Sequence, residues 1–298
     1  MSYLRNGSWL LLLVVCLSAP AQAALLSLKE SMAKRLVTVK AVSKGGFMGQ
    51  CLNLELHNNT GSDLSLAVDP ALIFKPLDSR FQPLVAVGEE QVTVEAGKSK
   101  TVTLQTFCGK SSASGPAKNL TYAYWKQGDT VMRQVSRYIR QHRLFGSLGQ
   151  HAIWTLTSGH CLSNVYNPSG KPDEGKALVA YMAGLLRQQM PEYYTHHNIN
   201  TSGNGGEVFD LNLSKVYVPL NWKKESRRQM HVVIFDHNRK VYREIKSGQV
   251  SNSKGEHEIS VEFDPDRDPL GVYYVQLRDD ESDVWIEKRV VMQKNICQ

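Results

Sequence analysis

Between Leu36 and Cys108 the apolar residues fall at every second position: Val37 and Val39; Leu52, Leu54 and Leu56; Leu64, Leu66 and Val68; Val92 and Val94; Val102 and Leu104. Successive side chains of a strand point to opposite faces, so this spacing builds short strands with one buried and one wet face. The runs are separated by turn-forming strings, Gly45-Gly46, Asn58-Asn59-Thr60-Gly61 and Glu95-Ala96-Gly97-Lys98, which end strands and reverse the chain. Asn58-Asn59-Thr60 also matches a glycosylation sequon, but the plain turn is the reading that fits its place between two runs. An antiparallel sandwich follows.

The period changes at Asp129, an N-cap residue, beyond which Val131, Val135 and Ile139 share one helical face and Arg133, Arg137 and Arg140 form a stripe on another. A second apolar helix is expected between Gly175 and Met190, stopped by Pro191. The polar, glycine-rich string from Asn200 to Gly206 reads as a linker. After it strands return at Val216–Val218, His231–Phe235, Val241–Ile245, Ile259–Phe263, Val272–Leu277 and Val284–Val291, with Asp236-His237-Asn238-Arg239 as a hairpin turn. The expected fold class is therefore mostly β, with two antiparallel β-sandwich (Ig-like) domains. Residues 24–200 form the first, with a helical pair at about 129–190; 201–206 is the linker, and 207–298 a smaller sandwich.

The first 23 residues carry Arg5 and no acid, then an apolar run from Leu10 to Leu17, then Ala21-Gln22-Ala23. That is a short positive region, a core too short to span a bilayer and a small-x-small cleavage site, so an export signal cut after Ala23 is expected. Cys16 sits inside the apolar core rather than after a small residue, which argues against a lipid anchor. Cleavage removes one basic residue, leaving the chain one charge below its full +7. No later stretch is long and apolar enough for a membrane span. Four of the five cysteines then remain, Cys51, Cys108, Cys161 and Cys297, and in an exported chain they read as two disulfides. Strand ends pair Cys51 with Cys108, leaving Cys161 for Cys297, with Cys108 to Cys161 as the alternative.

Four strings carry a resemblance: VVIFDHNRKVYREI from Val232 to Ile245, HEISVEF from His257 to Phe263, LGVYYVQLRD from Leu270 to Asp279 and WIEKRVV from Trp285 to Val291. In this order they resemble the sorting and sandwich domains that end many cargo proteins of the Bacteroidetes type nine secretion pathway. The resemblance implies a C-terminal β-sandwich and a partner in the secretion system. In the N-terminal part, GQCLNLELHNNTG, VEAGKSKTVTLQTFC and QHAIWTLTSG are similar to secreted bacterial β-sandwich modules, which implies fold and compartment only.

No motif for catalysis, cofactor or metal stands out. His160-Cys161 with Asn164 and His151 invites a thiol-nucleophile reading, but adjacent residues seldom face each other productively, and an oxidising compartment favours Cys161 as half of a disulfide. His196-His197 is expected in a solvated loop, without the further ligands a metal needs. Asp264, Asp266 and Asp268 lack the glycine and terminal glutamate of a calcium loop and read as a capped turn. The arginines Arg133, Arg137 and Arg140, with Lys223, Lys224, Arg227 and Arg228, are the candidate partner-binding residues. The partner expected for them is an envelope or secretion-system protein, or an anionic envelope glycan or lipid. Nucleic acid fits neither compartment nor motif. The sequence thus favours an exported, non-catalytic binding or envelope-associated protein, over a secreted enzyme with a scattered site or a purely structural envelope protein.

Overall fold

The computed structural model describes residues 24–166, 172–200, 206–225, 228–246, 250 and 253–293. The expected export signal, Arg227, Cys297 and linker residues 201–205 lie outside the described residues. In chain order the first part contains β1 (Leu25–Ser27), α1 (Leu28–Ala33), β2 (Val37–Lys44), β3 (Met48–Asn58), β4 (Leu64–Ala67), β5 (Leu72–Pro76), β6 (Leu84–Ala86), β7 (Gln91–Val94), β8 (Ser99–Cys108) and β9 (Lys118–Gln127). Helices α2 (Thr130–Gln141), α3 (Ser147–Ser158) and α4 (Pro172–Leu186) follow. The second part contains β10 (Tyr194–Ile199), β11 (Phe209–Lys224), β12 (Met230–Phe235), β13 (Val241–Ile245), β14 (Gly255–Phe263), β15 (Gly271–Asp279) and β16 (Val284–Met292).

The alternating runs do form strands, and their apolar sets point inward: Leu52, Leu54 and Leu56 of β3 are all fully buried. Their arrangement is not the open sandwich expected. Strands β2, β3, β8, β6, β5 and β9 follow one another around a closed barrel, because β2 pairs on one side with β3 and on the other with β9, where Ala41 faces Tyr122. Closure removes the exposed strand edges that a sandwich leaves. A small sheet, β1-β4-β7, shares the barrel's core cluster through Leu64, Leu66, Val92 and Val94.

The helices lie on the outside of the barrel. Ile73, Val85, Val87 and Phe107 turn outward and pack with Val135 and Ile139 of α2, Ile153 of α3 and Leu178, Val179 and Met182 of α4. Asp129 caps α2 as expected, its Oδ1 accepting from the Met132 N–H at 2.8 Å. The AIWTLT part of the QHAIWTLTSG string, for which the resemblance to β-sandwich modules implies β structure, lies in helix α3. Its threonine hydroxyls donate back one turn, Thr155 to the His151 carbonyl at 3.0 Å and Thr157 to that of Ile153 at 2.9 Å, and Gly159 ends it in the left-handed region at φ 70°. Among the described residues this region holds three α-helices where a pair was expected.

In the second part every expected strand is present. The sheet β10-β11-β14 faces the sheet β13-β12-β15-β16, and Val216, Val218, Leu220, Val261 and Phe263 meet Val232, Ile234, Val275, Leu277 and Val290 between them. The Asp236 turn forms the β12–β13 hairpin, with its carboxylate accepting from the Asn238 and Lys240 N–H groups. Strand β10 before the expected linker pairs with β11 after it, Ile199 opposite Phe209. The described chain on both sides of it is anchored: the Asn200 N–H donates to the Val208 carbonyl, and the Gly115 N–H to that of Gly206.

Cys51 and Cys108 depart from the pairing expected for them. Cys51 and Cys108 are both buried free thiols. A bulge between Gly49 and Leu52 takes Cys51 out of the β3–β8 ladder, and its Sγ lies 3.0 Å from the Met48 carbonyl oxygen. Cys108 lies opposite Leu84 of β6 instead. Burial pushes the Cys51 thiol up to about 11 and that of Cys108 well above the usual range, so neither supplies thiolate at neutral pH. Cys161 is disulfide-bonded. Alkylation of the native protein at pH 8 will leave Cys51 and Cys108 unmodified, and urea will expose both. A Cys51–Cys108 peptide in an unreduced map would restore the cross-strand bond.

Candidate functional site: a lysine-lined groove at Trp125

Strand β9 carries one residue more than β5 can match: Ile73 faces Lys126 and Phe74 faces Tyr124, leaving Trp125 unpaired between them. Such a bulge re-aims side chains, and here it breaks the alternation so that Trp125 and Lys126 are both exposed. Trp125 is 48% exposed, unusual for the largest side chain. The ammonium of Lys75, from β5, lies 3.4 Å from the centroid of its ring, and that of Lys126 at 4.3 Å. Lys110, from the loop after β8, stands on the same groove, with Pro76, Phe81 and Pro83 giving it apolar walls and the start of α2 closing one end. The groove holds about 680 Å³, in the range of small-ligand sites.

Charge in this groove is uncompensated. Lys75, Lys110 and Lys126 have no carboxylate within ion-pair distance among the described residues. Asp129, the acid on the described wall, spends its carboxylate on the α2 cap. Nearby Asp78 is gripped by Arg80 at 2.6 Å. Three cations on low-dielectric walls focus a positive potential on whatever enters.

The basic residues singled out from the sequence do not converge. On α2, Arg133 donates to Thr130 Oγ1, Arg137 is exposed, and Arg140 is held by Glu90 at 3.1 Å. In the second part, Lys224 is buried with its ammonium on the Arg228 carbonyl, and Arg228 is bound by Asp279 at 2.5 Å, with Glu281 at 3.3 Å. Burial would raise the Asp279 carboxyl, but hydrogen bonds from Arg228 and Trp285 outweigh it and hold the group at about 2. Lys223 is exposed on another face, beside His257. The signal that could have found the groove is Tyr-Trp-Lys at Tyr124–Lys126, where two outward residues in succession interrupt a two-residue period.

The histidines gather elsewhere. His197 is on strand β10, buried rather than in a polar loop, because β11 covers that strand. Phe209, at the start of β11, inserts among His160 at 4.5 Å, His197 at 5.2 Å, Trp154 at 5.3 Å and His151 at 6.0 Å between ring centroids, fastening the second sheet pair to the barrel and helices. Burial, with the neighbouring imidazoles, holds His151 at about 3 and His160 at about 4. His160 Nε2 lies 2.8 Å from Ser111 Oγ, the contact of a hydrolase nucleophile and base. No acid orients that base, since His160 Nδ1 has no partner among the described residues, and a group near 4 is a weak base at neutral pH. The described residues contain no cluster of three or more His, Cys, Asp or Glu placed to hold a metal ion. Asp264, Asp266 and Asp268 do form a capped turn, with Asp268 accepting from the Asp264 N–H and from Tyr242.

No helix among the described residues is long and apolar enough to cross a membrane. In comparison with known proteins, no family model, curated protein or solved structure matches the chain.

Proposed function

We propose that this is an exported, non-catalytic binding protein that holds an anionic component of the cell envelope in the Trp125 groove. The observation that carries the reading is the set of three lysines, without acid partners among the described residues, on a groove that holds one half-exposed tryptophan. Elsewhere the basic residues Arg140 and Arg228 are neutralised within the fold. An unneutralised set sits on an apolar, pocket-sized groove and is therefore available to a ligand. Export rests on Arg5, the apolar run and Ala21-Gln22-Ala23 at the start of the chain.

Calorimetric titration with dextran sulfate tests it. The wild type binds, and binding weakens as salt is raised. The variant Lys75→Ala/Lys110→Ala/Lys126→Ala loses affinity by about tenfold or more, worth about 1.4 kcal/mol. Arg133→Ala/Arg137→Ala on α2 changes it by less than about twofold, because those side chains lie outside the groove wall. If the arginine pair matters and the lysine triple does not, the site is the α2 face and the groove reading fails.

A further inference from the structure

Two ammonium groups crowd one indole, Lys75 at 3.4 Å and Lys126 at 4.3 Å from its centroid. Such exposed contacts are worth only about 0.5–1 kcal/mol each, so they are readily exchanged, and like charges gathered on one ring oppose each other.

Three kinds of ligand would use the site differently. A simple anion draws a lysine off the indole and leaves the ring bare. A neutral sugar can lie on the indole, but displaces the lysines without offering them a charge. A sugar ring carrying a carboxylate or sulfate replaces both interactions at once, covering the indole with its apolar face and receiving the displaced ammonium groups in charge-assisted hydrogen bonds. Pro76, Phe81 and Pro83 offer further apolar surface along the same groove, and Lys110 a further cation. About 680 Å³ suits a short segment of such a chain. The bulge at Trp125 is what brings the ring and Lys126 to the same side; without it, adjacent strand residues would face opposite ways.

We infer that the groove is a subsite for an acidic glycan, with one acidic sugar stacked on Trp125 and its charged group held by Lys75 and Lys126. The inference rests on the anion-binding reading above and goes one step further, to the class of ligand.

The test uses the whole mature protein and three probes: a uronic acid oligosaccharide, its neutral counterpart of equal length, and inorganic sulfate. Calorimetry is expected to show the uronic acid oligosaccharide binding about tenfold or more tightly than either other probe. Trp125→Ala is expected to cost the uronic acid oligosaccharide about tenfold and to leave inorganic sulfate unchanged. Lys75→Ala/Lys126→Ala is expected to weaken both. Circular dichroism of each variant checks that the barrel is intact, and Trp125→Phe, which keeps a ring, should recover part of the loss. If the lysine pair weakens binding but Trp125→Ala leaves the oligosaccharide untouched, the groove binds anions and the glycan assignment is wrong. If neither variant changes binding of any probe, the anion reading itself falls. Binding to phosphatidylglycerol vesicles that is tighter than to the oligosaccharide and also lost in Lys75→Ala/Lys126→Ala would assign the groove to a lipid headgroup instead.

Discussion

Lowering the pH from 7 to 5 will weaken the fold by about 2 kcal/mol through His151 alone, with a comparable or smaller loss through His160. Both imidazoles are buried at the joint made by Phe209, His151 2% and His160 5% exposed. The groups facing them are Ser111, Trp154, His196 and His197, and Asp210 lies beside His197. Among the described residues no carboxylate contacts either ring to stabilise a positive charge, so burial and the other histidines favour the neutral form. In the unfolded chain these histidines take up a proton near pH 6.5, whereas in the folded chain they do so only at about 3 and about 4. Their contribution is complete above the unfolded value and is lost as the pH falls toward the folded ones. Ordinary carboxylates titrate mostly below this window, which isolates the histidines. Urea unfolding at pH 7 and pH 5 measures it, and His151→Leu, which keeps the site filled without a titrating group, should flatten the dependence. An unchanged slope in that variant would falsify the assignment. The consequence falls first on the joint, since Phe209 and the three imidazoles hold the second sheet pair there.

Gly149→Ala will destabilise the protein by about 3 kcal/mol or more, although alanine favours a helix over glycine by up to about 1 kcal/mol. Gly149 is the point where α3 lies against β8. A β-carbon there would stand 2.2 Å from the Leu144 carbonyl oxygen and 2.6 Å from Phe107 Cζ. The oxygen belongs to the backbone, and Phe107 is itself buried at 1% exposure, so neither can yield cheaply. Gly184→Ala in α4 is the control, because a β-carbon there meets nothing within 4 Å. That change should stabilise by about 0.5–1 kcal/mol. Thermal or urea unfolding of the two variants separates packing from propensity by sign. Equal shifts in the same direction would mean that α3 does not press on the barrel as described.

Much of the local structure was legible in the residue order. The two-residue period marked Leu52, Leu54 and Leu56 as one face of a strand, and in the second part each expected strand lies where its apolar run does, whereas β10, which has no such run, was expected as a loop. Asp129 announced its helix because a short acceptor side chain before an apolar 3.6-residue pattern satisfies free N–H groups. AIWTLT was not legible in the same way. Its apolar and β-branched residues suit a strand locally, and only the contact of Ile153 and Trp154 with the barrel and the joint decides for a helix.

What the sequence by itself determined, then, is which residues turn inward and where the chain reverses, because both depend on neighbours a few positions apart. Whether the first strands close was decided by Ala41 meeting Tyr122, a pairing that no local pattern encodes. The same holds for the charges: Arg140 and Arg228 look as available as Lys75 and Lys126 until the fold brings Glu90 and Asp279 to the first two and only an indole to the others. Tertiary structure alone gathered His151, His160 and His197 around Phe209, because burial of an imidazole is a property of the elements that cover it and not of the residues beside it in the chain.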